Sequence, residues 1–200
     1  MAIVTPQAES VLELFRSTGA YLQGHFRLTS GLHSAEYLQS ALVLQYPPAA
    51  EKIGRLLAQE VRSLAGGPIG VVVSPALGGV IVGHEVARAL GARFLFTERE
   101  AAGGKMTLRR GFSVSPGEPA VVVEDVITTG GSTRDVIDVL LQAGAKVLAA
   151  SSIIDRSGGR ADVGVARTAL CTMQVAAHYP EDCPLCRQGI PVVKPGSRPL

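Results

Sequence analysis

Apolar positions along the chain switch repeatedly between helical spacing and strand-like runs, and each predicts a different kind of element. Between Gln7 and Ser17, Ala8, Val11, Leu12, Leu14 and Phe15 recur at helical spacing and Gly19 supplies a stop, so a short amphipathic helix is expected. Tyr21 to Leu44 alternates loosely and is broken at Gly24, Ser30 and Gly31, which predicts short strands and turns. Pro47-Pro48 then opens a helix with Ile53, Leu56, Leu57, Val61 and Leu64 on its apolar face, closed by Gly66-Gly67-Pro68.

From residue 69 onward a strand–loop–helix unit repeats. Ile69 to Val73 is a short β-branched run, suited to a strand buried on both faces. The loop from Ser74 to Gly79 leads into a helix ending near Leu90-Gly91, and Ala92 to Phe96 forms a second strand. A charged, glycine-bearing segment from Thr97 to Gly111 and a turn at Pro116-Gly117 precede a third strand, Ala120 to Val123. A helix from about Ser132 to Ala143 ends at Gly144, and Ala145 to Ile154 is a fourth strand. This order predicts an α/β fold, a parallel sheet flanked by helices. Ligands of such sheets sit at the carboxyl ends of the strands, where loops 74–79, 124–132 and 155–160 converge. Residues before 65 and after 165 read as less regular, and residues 1–200 as one domain.

Composition narrows the class. Aromatics make up 4% of the chain and Trp is absent, so Val, Leu, Ile and Ala must build the core. The net charge of +2, with no basic run interleaved with aromatics, argues against a nucleic-acid partner. No apolar run reaches the roughly 20 residues of a membrane helix, and the N-terminus lacks a signal-peptide layout. Three cysteines give no disulfide framework. A cytoplasmic protein without membrane contact is expected.

The most informative segment runs from Val121 to Thr133. A buried strand ends in Glu124 and Asp125; Val126, Ile127, Thr128, Thr129, Gly130 and Gly131 lead to a helix starting near Ser132. A helix N-terminus offers free N–H groups and partial positive charge to a phosphate, and the glycines permit close backbone approach. No Lys stands in the loop, so this is not a Walker-type nucleotide site. Two carboxylates beside a phosphate cradle must face a cation or hydroxyl donors; ribose hydroxyls and hydrated magnesium suit them.

This segment resembles the signature that binds 5-phosphoribosyl-1-pyrophosphate (PRPP) in type I phosphoribosyltransferases. The resemblance implies a parallel sheet of about five strands under a smaller hood, here about 20–45 plus C-terminal residues, over a core of about 65–165. It also implies that residues 124–132 bind the ribose 5-phosphate. The segment Gly24 to Tyr37, with Phe26, Leu28, Ser30-Gly31, Ser34 and Tyr37, resembles the hood of orotate phosphoribosyltransferases. Asp155-Arg156 matches the place where that family sets an arginine against orotate. An anionic pyrimidine calls for such a cation, since a guanidinium donates in a fixed fork; Thr128 is expected beside it. A salt bridge to Asp155 or a neighbour is the structural alternative for Arg156.

Two positions depart from the family pattern. Thr29 stands where many members carry a lysine, and Leu77-Gly78 replace an aromatic-lysine pair. Pyrophosphate is then expected on backbone N–H groups of loop 74–79 and on magnesium. Glu98 to Gly111 resembles the family's mobile catalytic loop, with Gly103-Gly104 as flexible points. Among its cations, Lys105 is taken as catalytic and Arg99 as PRPP-binding, with Arg99 and Arg109 the alternates for Lys105. Resemblance further implies a two-fold homodimer with this loop acting on the neighbouring site. Glu124 and Asp125 are the expected catalytic carboxylates, and magnesium is expected without confident direct protein ligands. The alternatives are a purine phosphoribosyltransferase and a PRPP-sensing transcription regulator.

Cys183-Pro184-Leu185-Cys186 is a lone CxxC. A zinc site needs about four ligands, and the nearest others along the chain, Cys171 and His178, match no standard spacing. An inert surface turn is expected. His25, His33 and His84 read as ordinary hood or helix residues.

Overall fold

The computed structural model describes residues 6–28, 30–101 and 104–195. Thr29 and Gly103 lie outside the described residues. Helix α1 (Pro6–Ser17) is followed by strands β1 (Tyr21–Arg27) and β2 (His33–Leu38), helices α2 (Ser40–Leu44) and α3 (Pro47–Ala65), strand β3 (Val71–Pro75), helix α4 (Gly78–Leu90) and strand β4 (Arg93–Arg99). Strands β5 (Met106–Leu108) and β6 (Pro119–Ile127), helix α5 (Gly131–Gln142), strands β7 (Lys146–Asp155) and β8 (Arg167–Thr172) and the short helix α6 (Pro184–Arg187) complete the chain.

The main sheet has the order β5-β4-β3-β6-β7-β8. Five of its strands run parallel, and β5 pairs antiparallel to β4 at one edge. Alternate valines face opposite layers, as strand geometry demands. Val72, Val121 and Val123 pack with α1, α3 and α4, whereas Val71, Val73 and Val122 pack with Val136, Ile137 and Leu140 of α5. Helices on both faces leave the carboxyl ends of β3, β6 and β7 open on one edge. The β1–β2 hairpin is a separate two-stranded sheet, within the segment expected as a hood.

Four expectations need correction. Residues 40–44 form a helix, because Val43 and Leu44 bury themselves in the layer held by α1 and α3. The third core strand runs on through Ile127, since Glu124, Val126 and Ile127 pair with Ser152, Ile154 and Asp155 of β7. The acidic pair therefore sits on a rigid strand. Residues 97–111 include a β-hairpin, with Thr97, Glu98 and Arg99 paired to Leu108, Thr107 and Met106. Met106 is buried in the α5 layer, so this segment is partly packed. The region after 165 contains a sixth strand, β8.

Candidate active site

Glu124 and Asp125 are adjacent on β6, so their side chains leave opposite faces of the sheet. Glu124 is buried, and burial together with the neighbouring Asp125 pushes its carboxyl well above the usual carboxylate range. One Glu124 oxygen accepts the Asp125 N–H at 3.2 Å. Asp125 is half-buried and points at the start of α4: a Cβ built on Gly78 would lie 2.7 Å from one of its carboxylate oxygens. Only glycine leaves that space open.

Beyond Ile127 the chain turns through Thr128 and Thr129 to Gly130, which caps α5 at φ 80°, a left-handed conformation that glycine adopts without strain. A Cβ there would also meet the Val163 side chain at 2.8 Å. Among the described residues, the backbone N–H groups from Thr128 to Thr133 donate to no backbone or side-chain acceptor. They form a rim of donors at a helix N-terminus, a geometry suited to a phosphate dianion. Arg134 braces the rim from behind, donating to the carbonyl of Asp162 and to that of Thr129 at 3.3 Å.

Loop 74–79 is partly committed to the sheet. Ala76 N–H donates to the Thr97 carbonyl at 2.9 Å, so only Leu77, Gly78 and Gly79 keep unbonded N–H groups there. The Ala76–Leu77 peptide is cis. Leu77 stands fully out at the loop tip.

Arg156 follows β7, anchored by its N–H to the Ile127 carbonyl at 2.8 Å. Its expected structural alternative is not realised. Asp155 instead bonds Arg167 at 2.7 Å, the Ser157 hydroxyl at 2.6 Å, and the N–H groups of Ser157 and Gly159. Burial pulls the Arg156 guanidinium down, against Tyr37 and Glu36, whose charges favour it. Among the described residues no carboxylate lies at ion-pair distance from it, and its buried Nε has no hydrogen-bond partner. Tyr37 belongs to the hood strand β2; burial and the field of Asp125 raise its phenol, while Arg156 acts in the opposite sense. One residue of β2 thus feels both Asp125 and Arg156.

These features coincide with the result of comparison. A family model described as phosphoribosyl transferase domain matches residues 40–177. Orotate phosphoribosyltransferase of Pelotomaculum thermopropionicum is 55% identical over 192 residues, spanning 96% of this chain and 98% of that protein. The enzyme of the same name from Heliobacterium modesticaldum is 54% identical, spanning 95% and 98%. The chain belongs to the orotate phosphoribosyltransferase family. The crystal structure of orotate phosphoribosyltransferase from Aeropyrum pernix superposes with a TM-score of 0.66 at 28% identity, covering 81% of this chain and 93% of that one. The sheet and its helices are those of the type I phosphoribosyltransferases.

Within this family frame, the expected site residues divide into two groups. Glu124, Asp125, Thr128 to Ser132 and Arg156 converge on the carboxyl edge. Val126 and Ile127 lie on the same strand, but Ile127 is buried and Val126 packs against the core, so only their backbone is open to a ligand. Arg99 and Lys105 lie elsewhere. Arg99 bonds Asp135 of α5 at 2.6 Å and the Gly104 carbonyl at 2.8 Å, and with Lys105 it lines a cavity of about 360 Å³ beside Asp135 and Asp138. Arg110 is tied to Glu98 at 2.7 Å and stacks over Phe96; Arg109 is exposed. Gly78 was expected only for its backbone N–H in loop 74–79, not for the room its missing side chain leaves to Asp125. Tyr37 was not expected as a site residue, since its nearness to Asp125 and Arg156 shows only in the folded chain.

The CxxC is no inert surface turn. Cys183 is buried, and both cysteine sulfurs meet the hood histidines His25 and His33.

Proposed function

We propose that this chain transfers the phosphoribosyl group of PRPP to orotate, giving orotidine 5-phosphate and pyrophosphate in pyrimidine biosynthesis. The observation that carries the reading is the run from Glu124 to Thr133: two carboxylates on a rigid strand, then a rim of unbonded N–H groups, with the partnerless Arg156 beside it. The rim takes the 5-phosphate, and Glu124 and Asp125 take the ribose hydroxyls. Burial and the neighbouring Asp125 favour the protonated form of Glu124, because two adjacent carboxylates in a buried setting do not both ionise readily. The pyrophosphate meets the free N–H groups of Leu77, Gly78 and Gly79, held against Asp125 by the missing side chain of Gly78.

Arg156 faces the acceptor. A half-buried guanidinium with no carboxylate at ion-pair distance among the described residues is a costly arrangement, and the orotate carboxylate relieves it with two parallel charge-assisted bonds. Attack of the orotate ring nitrogen on the anomeric carbon expels pyrophosphate, and the positive charge that develops on the ribose lies beside Asp125. The donor set fits magnesium, since Asp125 and Glu124 offer hard oxygens and would hold the ion through its water shell together with PRPP oxygens. When bound, the ion neutralises charge on the departing pyrophosphate.

A two-fold homodimer and a cytoplasmic location belong to the same proposal. In favour of trans action, Arg99 and Lys105 stand beside α5 and make no bond to Glu124, Asp125 or the N–H rim among the described residues. No helix among those residues is long and apolar enough to cross a membrane. The acceptor assignment is tested with Arg156→Gln. A large rise in KM for orotate with KM for PRPP nearly unchanged is expected; equal changes in both would place Arg156 outside the acceptor pocket.

A further inference from the structure

The hood holds a second chemical centre, about which the transferase reading says nothing. His25 on β1, His33 at the start of β2, and Cys183 and Cys186 at α6 bring one ligand atom each to within 4.8 Å of one another. His25 Nε2 lies 2.9 Å from His33 Nδ1, 3.5 Å from Cys183 Sγ and 3.7 Å from Cys186 Sγ, and His33 Nδ1 lies 3.2 Å from Cys186 Sγ. Tetrahedral zinc binds imidazole at about 2.0–2.1 Å and thiolate at about 2.3 Å, which sets its ligand atoms about 3.3–3.8 Å apart. The observed separations bracket that range.

Three features support a metal over a chance cluster. The first is orientation. His25 Nδ1 lies 2.7 Å from the Ile190 carbonyl, so that nitrogen carries the proton and Nε2 presents its lone pair to the cluster. Metal-bound imidazoles are fixed in this way. The second is local backbone. His25 and Phe26 are consecutive in a strand, yet both are buried, which strict alternation forbids. A register shift between Gln23 and Phe26 relaxes that alternation, and bulges re-aim side chains in this manner. The third is the lack of another support. Among the described residues from 172 to 195, Cys183 alone is buried. This tail meets the hood through the backbone bonds Arg27–Val193, Val193–His25 and the His33–His178 pair, each at 2.8 Å. A two-stranded hairpin and an irregular tail have too little apolar area to order each other unaided.

We propose that His25, His33, Cys183 and Cys186 form a tetrahedral zinc site that staples the C-terminal segment to the hood. Two imidazoles and two thiolates are the donor set of a structural zinc site, with no position left for water or substrate. Both thiols lose their protons to solvent as the metal binds. Because β2 continues from His33 to Tyr37, the staple also fixes the strand that reaches the acceptor pocket.

The test is metal analysis of the purified chain from zinc-supplemented culture, beside Cys183→Ser/Cys186→Ser and the control Cys171→Ala. Close to one zinc per chain is expected in the wild type and the control, and its loss in the double variant. Chelation should lower Tm and open the 172–195 segment to protease, with zinc restoring both. Should the double variant not fold, cobalt added to the chelator-stripped wild type decides the matter, through the visible bands of tetrahedral cobalt and its thiolate charge-transfer absorption. Absence of stoichiometric metal with no such cobalt spectrum overturns the proposal. So does zinc retained by the double variant, or a Cys183–Cys186 disulfide in the native chain.

Discussion

Glu124 is the residue where stability and function pull apart. Its carboxyl is buried and held well above the usual carboxylate range. A carboxyl whose folded pKa is raised binds its proton more tightly in the folded state, so its stabilising contribution is complete below about 4.5 and is lost as pH rises through the folded value. The ligand-free protein should therefore lose stability from acidic toward neutral pH through this group. Glu124→Gln keeps the shape and removes the ionisation. We expect a Tm at pH 8 raised by a few degrees, a weaker pH dependence between pH 5 and 8, and turnover reduced at least tenfold. Thermal denaturation at both pH values together with steady-state rates checks this. A lower Tm with full activity would mean that the Glu124 charge supports the fold and not the ribose. Asp155 has the opposite character: burial raises its carboxyl, but the bonds from Ser157 and Arg167 outweigh that and hold it below its ordinary value. It is a structural acid and leaves Arg156 free.

At the scale of elements, the repeating strand–loop–helix units were legible because buried strands are written as short valine runs and helices as spaced apolar residues. What escaped was polar or short. Strand β8 begins with Arg167 and Thr168, and its arginine is spent on Asp155. Helix α2 has five residues, too few to display a period. Strand β5 has three residues, Met106–Leu108, too few to display a period, and takes its order from pairing with β4. The acidic strand end and the Thr/Gly turn were legible from local sequence. The zinc-type cluster was not, since its halves lie about 150 residues apart along the chain. Helix packing yields a further test. Helices α3 and α4 approach so closely at Gly54 that a Cβ there would lie 2.5 Å from Glu85 Cβ and 2.9 Å from its backbone carbon. Gly54→Ala gains roughly 1 kcal/mol of helix propensity, but overpacking against backbone costs about 1–3 kcal/mol. The clash should win, lowering the denaturation midpoint with an unchanged denaturant slope. A raised midpoint would show that the helices separate freely.

At the scale of the molecule, the sheet supplies an edge and Tyr37 of the β1–β2 hairpin lies within reach of its charges, but the cations expected at the pyrophosphate stand to one side. Lys105 and Arg99 occupy the flank of α5 near Asp135 and Asp138. If they serve a neighbouring site, subunit mixing will reveal it. Lys105→Ala and Asp125→Asn should each be nearly inactive. After exchange, a heterodimer with trans-acting loops carries both lesions in one site and neither in the other, so activity should recover toward one quarter of wild type for an equal random mixture. No recovery despite demonstrated exchange would confine the loop to its own subunit.

The central claim is that the carboxyl edge binds PRPP and that Arg156 selects an anionic pyrimidine. The most direct measurement follows PRPP consumption with magnesium and orotate, uracil, hypoxanthine or adenine supplied in parallel, with product identified by mass. Orotidine 5-phosphate should form with a kcat/KM at least a hundredfold above that for any other base, and only when magnesium is present. Preferential use of a purine, or PRPP binding without transfer to any of the four bases, would contradict the account.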